Sequence, residues 1–171
     1  AVYVNDGVAN FDSVTFVTPQ NPDVDNINNS IYVYSNKATL NIAGTNEFGT
    51  MIRNVSGNIK VTGTNVFNGG ISNVSGIVNI DGMNTFNSSI SNARNGNITI
   101  SGDNTFTNLN ANKGGAITNI SSVLNILGNT KFIGNTSTLG GAIYLGSAST
   151  ANILASFGST IAGEGNIADR G

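Results

Sequence analysis

Apolar and polar residues alternate along most of the chain and nowhere take the i, i+3, i+4, i+7 spacing of an amphipathic helix, so the pattern predicts strands throughout. The alternation is itself repeated. A nine-residue core, apolar-x-Ile/Val-x-Gly-x-Asn/Thr-x-Phe, occurs at Leu40 to Phe48 (LNIAGTNEF), Ile59 to Phe67 (IKVTGTNVF), Val78 to Phe86 (VNIDGMNTF), Ile98 to Phe106 (ITISGDNTF) and Leu124 to Phe132 (LNILGNTKF). Two weaker copies without the central glycine keep the same offset, Val8 to Phe16 at the front and Ile153 to Ile161 at the back. A second apolar anchor precedes most cores, at Ile31, Ile52, Ile71, Ile90, Ile117 and Ile143, often followed two positions later by Asn. Closing positions at 16, 48, 67, 86, 106, 132 and 161 give middle repeats of 19 or 20 residues and longer ones at both ends.

A unit of two or three short strands cannot enclose a core alone and must stack on its neighbours. The expected fold is therefore all-β, a parallel β-helix (β-solenoid) of about seven rungs, which at about 4.8 Å per rung makes a rod about 30 Å long. A left-handed solenoid needs a strict six-residue period, which is absent, so a right-handed coil is expected. Leu40/Ile42, Ile59/Val61, Val78/Ile80, Ile98/Ile100 and Leu124/Ile126 should form one internal stack and the phenylalanines another. Gly44, Gly63, Gly82, Gly102 and Gly128 fall where the chain must bend, which suits a residue free to take positive φ. Asn46, Asn65, Asn84 and Asn104 follow at inward parity and are expected to bond from rung to rung as an amide ladder.

Residues 1–171 read as one solenoid segment, with 17–30 (Pro19, Pro22, then DVDNINN) as an inserted loop. The longer repeats around 107–117 and 133–152 are also expected to carry exposed loops, where a solenoid usually places recognition. The start AVYVNDG lacks the pattern of a signal peptide, and GEGNIADRG offers no amphipathic cap, so the segment is expected to come from a longer protein.

Composition narrows the chemistry. Charged residues make up 9% of the chain, against a usual quarter, while Asn numbers 30, Gly 22, and Ser and Thr 17 each, so the surface must be polar and neutral. A net charge of −2 supplies no basic field for nucleic acid, and no apolar run is long enough for a membrane span. Without Cys or His, the usual thiolate and imidazole metal ligands and the usual proton shuttle are missing, and no cofactor is expected. Seven N-x-S/T sequons are close to the roughly 6 that so much Asn, Ser and Thr gives by chance, and carry no signal.

Solenoids that cut polysaccharides line up carboxylates on adjacent rungs. The best pair is Asp81 and Asp103, about 8 Å apart on this register and within the inverting range, but both flank bend glycines and no cationic column supports them. Ice binding would need regular threonine columns, and only Thr85 and Thr105 align.

The last third carries two GGAI tetrapeptides, Gly114-Gly115-Ala116-Ile117 and Gly140-Gly141-Ala142-Ile143, with FIGN (Phe132 to Asn135) between them, and FNGGI (Phe67 to Ile71) as a worn copy. These resemble the tandem GGA(I/L/V) and FxxN motifs of the chlamydial polymorphic outer membrane proteins and related autotransporter adhesins. Most repeats depart from that pattern, with NVSG or NARNG in place of GGA. The resemblance implies an extracellular, non-catalytic rod on a bacterial surface, carried by an outer-membrane barrel outside this segment. Its implied partners are a host-cell or matrix receptor or other adhesin rods, and its implied adhesion motif is Gly114, Gly115, Ala116, Ile117, Phe132, Asn135, Gly140, Gly141, Ala142 and Ile143. Read from the residues alone, GGAI is a crowded bend feeding an inward Ile, and FxxN a core Phe with a turn Asn. A polysaccharide-binding or -cleaving β-helix is the alternative function.

Overall fold

A computed structural model describes residues 2–17 and 29–170. Among them there is no helix, and every strand pairing is parallel, the architecture of a β-solenoid in which each coil lies on the one before.

A seven-stranded sheet runs through Val2–Val4, Asn29–Val33, Met51–Asn54, Ile71–Asn73, Ile90–Ala93, Ile117–Ile120 and Ile143–Leu145. The anchor isoleucines pair in register down this sheet, Ile31, Ile52, Ile71, Ile90, Ile117 and Ile143, with Val2 heading the column. A twelve-stranded sheet holds the nine-residue cores. One arm joins Gly7–Asp12, Ala38–Ala43, Asn58–Val61, Ile77–Ile80 and Asn97–Ile100, and the other joins Thr15–Phe16, Thr45–Phe48, Thr64–Phe67, Met83–Phe86 and Asp103–Thr107. The single 11-residue strand Val123–Ile133 pairs with both arms and makes them one sheet, and Thr150–Phe157, the twelfth strand, pairs with it on its other side.

Alternation sets which side chains enter the core. Leu40, Ile59, Val78, Ile98 and Leu124 pair in one buried column, and Ile42, Val61, Ile80, Ile100 and Ile126 in the next. Phe16, Phe48, Phe67, Phe86, Phe106, Phe132 and Phe157 stack ring on ring at 4.2–5.6 Å between centroids, each pair within 16° of parallel. Full burial of such rings is the largest apolar contribution that the repeat can make.

The bend glycines are required by contact as well as by torsion. Gly44, Gly63, Gly82 and Gly102 have φ between +76° and +100°, and a Cβ on Gly63, Gly82 or Gly102 would lie 2.2–2.3 Å from the carbonyl oxygen of the glycine one coil earlier. Gly128 differs from the expectation: it lies inside the long strand without a positive φ, and close approach to Gly102 is what excludes a side chain there, since its Cβ would be 2.4 Å from the Gly102 nitrogen.

Both weak cores are rephased. At the front, Ala9 and not Val8 pairs with Leu40, so Val8 is 62% exposed while Phe16 still meets Phe48. Two residues, Ser13 and Val14, do the work of three at this bend, which shifts the opening by one position. At the back, Ile153 pairs with Ile126, and Phe157 rather than Ile161 closes on Phe132; Ile161 is 63% exposed. There Leu154 alone stands opposite Leu127, Gly128 and Asn129, so the shortened bend brings a phenylalanine into the column early.

The long repeats also differ from the expected loops. Residues 107–117 and 133–152 contain the strands Asn110–Lys113 and Thr136–Leu139, and with Ile167–Arg170 these form a third parallel sheet. The extra residues widen the coil by a face because their alternation continues, burying Ser137 and half-burying Ala111 and Ala168. Of the expected loop at 17–30, positions from Asn29 onward belong to a strand, and 18–28 lie outside the described residues.

Candidate functional site

The residues carrying the motif resemblance meet at one corner. Gly114 and Gly140 have φ of +55° and +64°, turning the chain from the third sheet into the seven-stranded one. The two GGAI copies then lie on each other, the Gly115 amide donating to the Gly141 carbonyl (2.9 Å) and the Ala116 amide to the Ala142 carbonyl (2.8 Å). A Cβ on Gly115 would sit 2.4 Å from the Gly141 oxygen, so the second glycine is what permits this approach. Gly114, Gly115, Ala116, Ile117, Gly141 and Ala142 are buried, and Gly140 and Ile143 half-buried.

Phe132 stands in the ring stack, and Asn135 is fully buried beside it. Its side-chain amide donates to the Phe106 carbonyl (3.0 Å) and to Oδ1 of Asn166 (2.8 Å), while its own oxygen accepts the Leu109 amide (3.0 Å). Asn135 thus ties together three coils. The two GGAI copies bond to each other, and Phe132 and Asn135 face the interior.

The same is true of the expected ladder. Nδ2 of Asn46 donates to Oδ1 of Asn65 (2.8 Å), Asn65 to Asn84 (2.9 Å) and Asn84 to Asn104 (2.9 Å), ending at the Thr130 hydroxyl (3.4 Å). A second ladder runs through the Asn that closes each anchor tripeptide, Asn54 to Asn73, Asn73 to Asn92 and Asn92 to Asn119, at 2.8–2.9 Å. The recurring Ile-x-Asn was its sequence signal. Buried amides are tolerable because each bonds to a neighbouring ladder amide and also donates to a backbone carbonyl of its own turn.

Asp81 and Asp103 lie on either side of the glycine bend, and each accepts a neutral donor from the following coil: Ser101 Oγ at 3.2 Å and Asn129 Nδ2 at 3.0 Å, respectively. Thr85 and Thr105 pair in register between Val66 and Lys131, so the threonine column stops at two. Among the described residues no cluster of three acidic side chains could hold a metal ion.

Outward positions show a feature that the sequence reading missed. Tyr3, Tyr32, Arg53, Ser72, Ser91, Thr118 and Tyr144 form one outward column on the seven-stranded sheet. At one end, Tyr3, Tyr32 and Tyr34 lean together with centroids 5.4–6.1 Å apart and planes within 26°. The Arg53 guanidinium lies 6.0 Å from the Tyr32 centroid. At the other end, Lys113 Nζ stands 5.1 Å from the Tyr144 ring. The available signal was that three of the four tyrosines lie in VYV and IYVY, segments that align once Val2 is set over Ile31.

No known protein family, curated protein or solved structure matches the chain.

Proposed function

We propose that the chain is a segment of a non-catalytic extracellular rod, a right-handed coil of about seven rungs displayed on a bacterial outer surface, that mediates attachment to host or neighbouring cells. The observation that carries the reading is the division of labour across the strands. Inward positions go to stacked rings, aliphatic columns and self-bonded amides, and outward positions repeat in register from coil to coil, as in the run Ser72, Ser91 and Thr118. Such a construction supplies length and a repeating surface, and among the described residues it assembles no convergent set of acids, bases and cations. The GGAI and FxxN resemblance supports the adhesin setting, with a host-cell or matrix receptor, or another rod, as partner. In this setting the motif builds the corner from which outward columns are displayed.

Beads coated with the 171-residue chain should attach to epithelial monolayers or matrix-coated surfaces well above albumin-coated beads. Attachment no greater than the albumin control would contradict the reading. The polysaccharide-cleaving alternative rests on Asp81 and Asp103 alone. It predicts release of reducing ends from a polysaccharide panel, lost in Asp81→Asn/Asp103→Asn, whereas the rod reading predicts no turnover by either protein.

A further inference from the structure

We propose that the outward column from Tyr3 to Tyr144 is a binding track for a linear acidic glycan, one whose acid groups are sugar carboxylates. This deepens the reading of the chain as an attachment rod, on which it rests, by giving the rod a ligand class and a face.

Three observations carry it. First, aromatic side chains stand at both ends of a column whose middle is small and polar: Tyr3 is 62% and Tyr34 47% exposed, and no phenol hydroxyl of Tyr3, Tyr32 or Tyr34 bonds to a described residue. Tyrosine offers an apolar body and a polar tip together, the combination that a sugar ring presents in return with its C–H face and hydroxyl rim. Second, each aromatic end has a cation beside it, Arg53 at Tyr32 and Lys113 at Tyr144, and neither cation pairs with a carboxylate among the described residues. The column itself contains no acidic residue although the chain carries a net charge of −2. The planar guanidinium is suited to a carboxylate in two-point contact. Third, Ser72, Ser91 and Thr118 pave the interval with hydroxyls. Six strand spacings separate Tyr3 from Tyr144, about 29 Å at about 4.8 Å each.

The length and polarity of the track decide against other ligands. A protein partner generally needs a well-packed apolar centre, and the floor here is hydroxyls. A nucleic acid gains most of its affinity from several phosphate contacts along a basic groove, and two cations on strands three spacings apart do not make one.

The chain has no Trp and four Tyr, all in the track or its immediate rim, so tyrosine fluorescence reports on it directly. Titration with a hyaluronan octasaccharide should perturb that emission, with binding that weakens as NaCl rises and is at least tenfold tighter than for the neutral chitin octasaccharide. Tyr3→Ala and Arg53→Gln, both on the outer surface, should each weaken binding about tenfold with unchanged far-UV circular dichroism. Ser91→Trp should block the middle of the track and abolish binding of the long oligomer. Several results would overturn the proposal: no saturable binding of the acidic oligomer, equal affinity for the neutral one, insensitivity to Arg53→Gln or Ser91→Trp, or tighter binding of oligo(dT). Bead attachment separates this from the wider reading. Attachment retained by an Arg53→Gln/Ser91→Trp chain sinks the track alone, and glycan binding by a chain whose beads do not attach sinks the attachment role alone.

Discussion

At Gly63 two constraints coincide, a φ of +89° and a neighbouring carbonyl oxygen 2.2 Å from where a Cβ would stand. Alanine there must adopt the left-handed region, at about 1–2 kcal/mol, and must also push the Gly44 and Gly63 bends apart. Gly63→Ala should therefore lower the denaturant midpoint clearly, while Gly165→Ala, with nothing within 4 Å and no positive φ, should leave it nearly unchanged. The ladder amides make a second residue-scale case. Removing the Asn84 side chain strips Oδ1 of Asn104 of its ladder donor and Nδ2 of Asn65 of one acceptor, both in buried surroundings. Asn84→Ala is expected to cost about 1–3 kcal/mol in equilibrium unfolding. Asn84→Asp should cost more at neutral pH, because it sets a carboxylate oxygen against the Asn104 carbonyl oxygen.

Between residue and molecule, the ring stack sets how stability is distributed. Phe86 is fully buried with neighbours 4.8 and 4.2 Å away, whereas Phe157 ends the stack with a single ring partner and is 54% exposed. Phe86→Ala should cost about 3–5 kcal/mol and Phe157→Ala clearly less, read as the difference in unfolding midpoints. The same stack shows what was legible in the sequence. The five full cores gave register, burial and the first ladder because inward alternation and the bend glycine repeat together. The second ladder was written in Ile-x-Asn but read only as an anchor, since periodicity marks apolar positions and leaves a buried amide looking like a turn residue. Val8 and Ile161 were misplaced because the bends at Ser13–Val14 and at Leu154 are shorter than the repeat, and a fixed offset cannot register a missing residue. Two strands of the third sheet, NANK and TSTL, were taken for loops because they carry almost no apolar signal and are held by neighbours already in place. The aromatic column was illegible for a related reason: outward positions have no period until the register of the first strand is known.

For the whole molecule, parallel in-register stacking makes one outward column a ruler. Positions one coil apart must be one strand spacing apart however many residues separate them in sequence, and that lays interior motif and exterior track along the same axis. The absence of cysteine allows labels to be placed singly and in pairs on Tyr32, Ser72, Thr118 and Tyr144 without background. Pulsed electron spin resonance between nitroxides at these sites tests the arrangement most directly. The account predicts backbone separations rising in equal steps of about 4.8 Å per coil, so that Tyr32 to Thr118 spans four steps, about 19 Å, and Ser72 to Tyr144 three, about 14 Å. Separations that failed to order as the strands do, or distributions as broad as those of an unfolded chain, would contradict it.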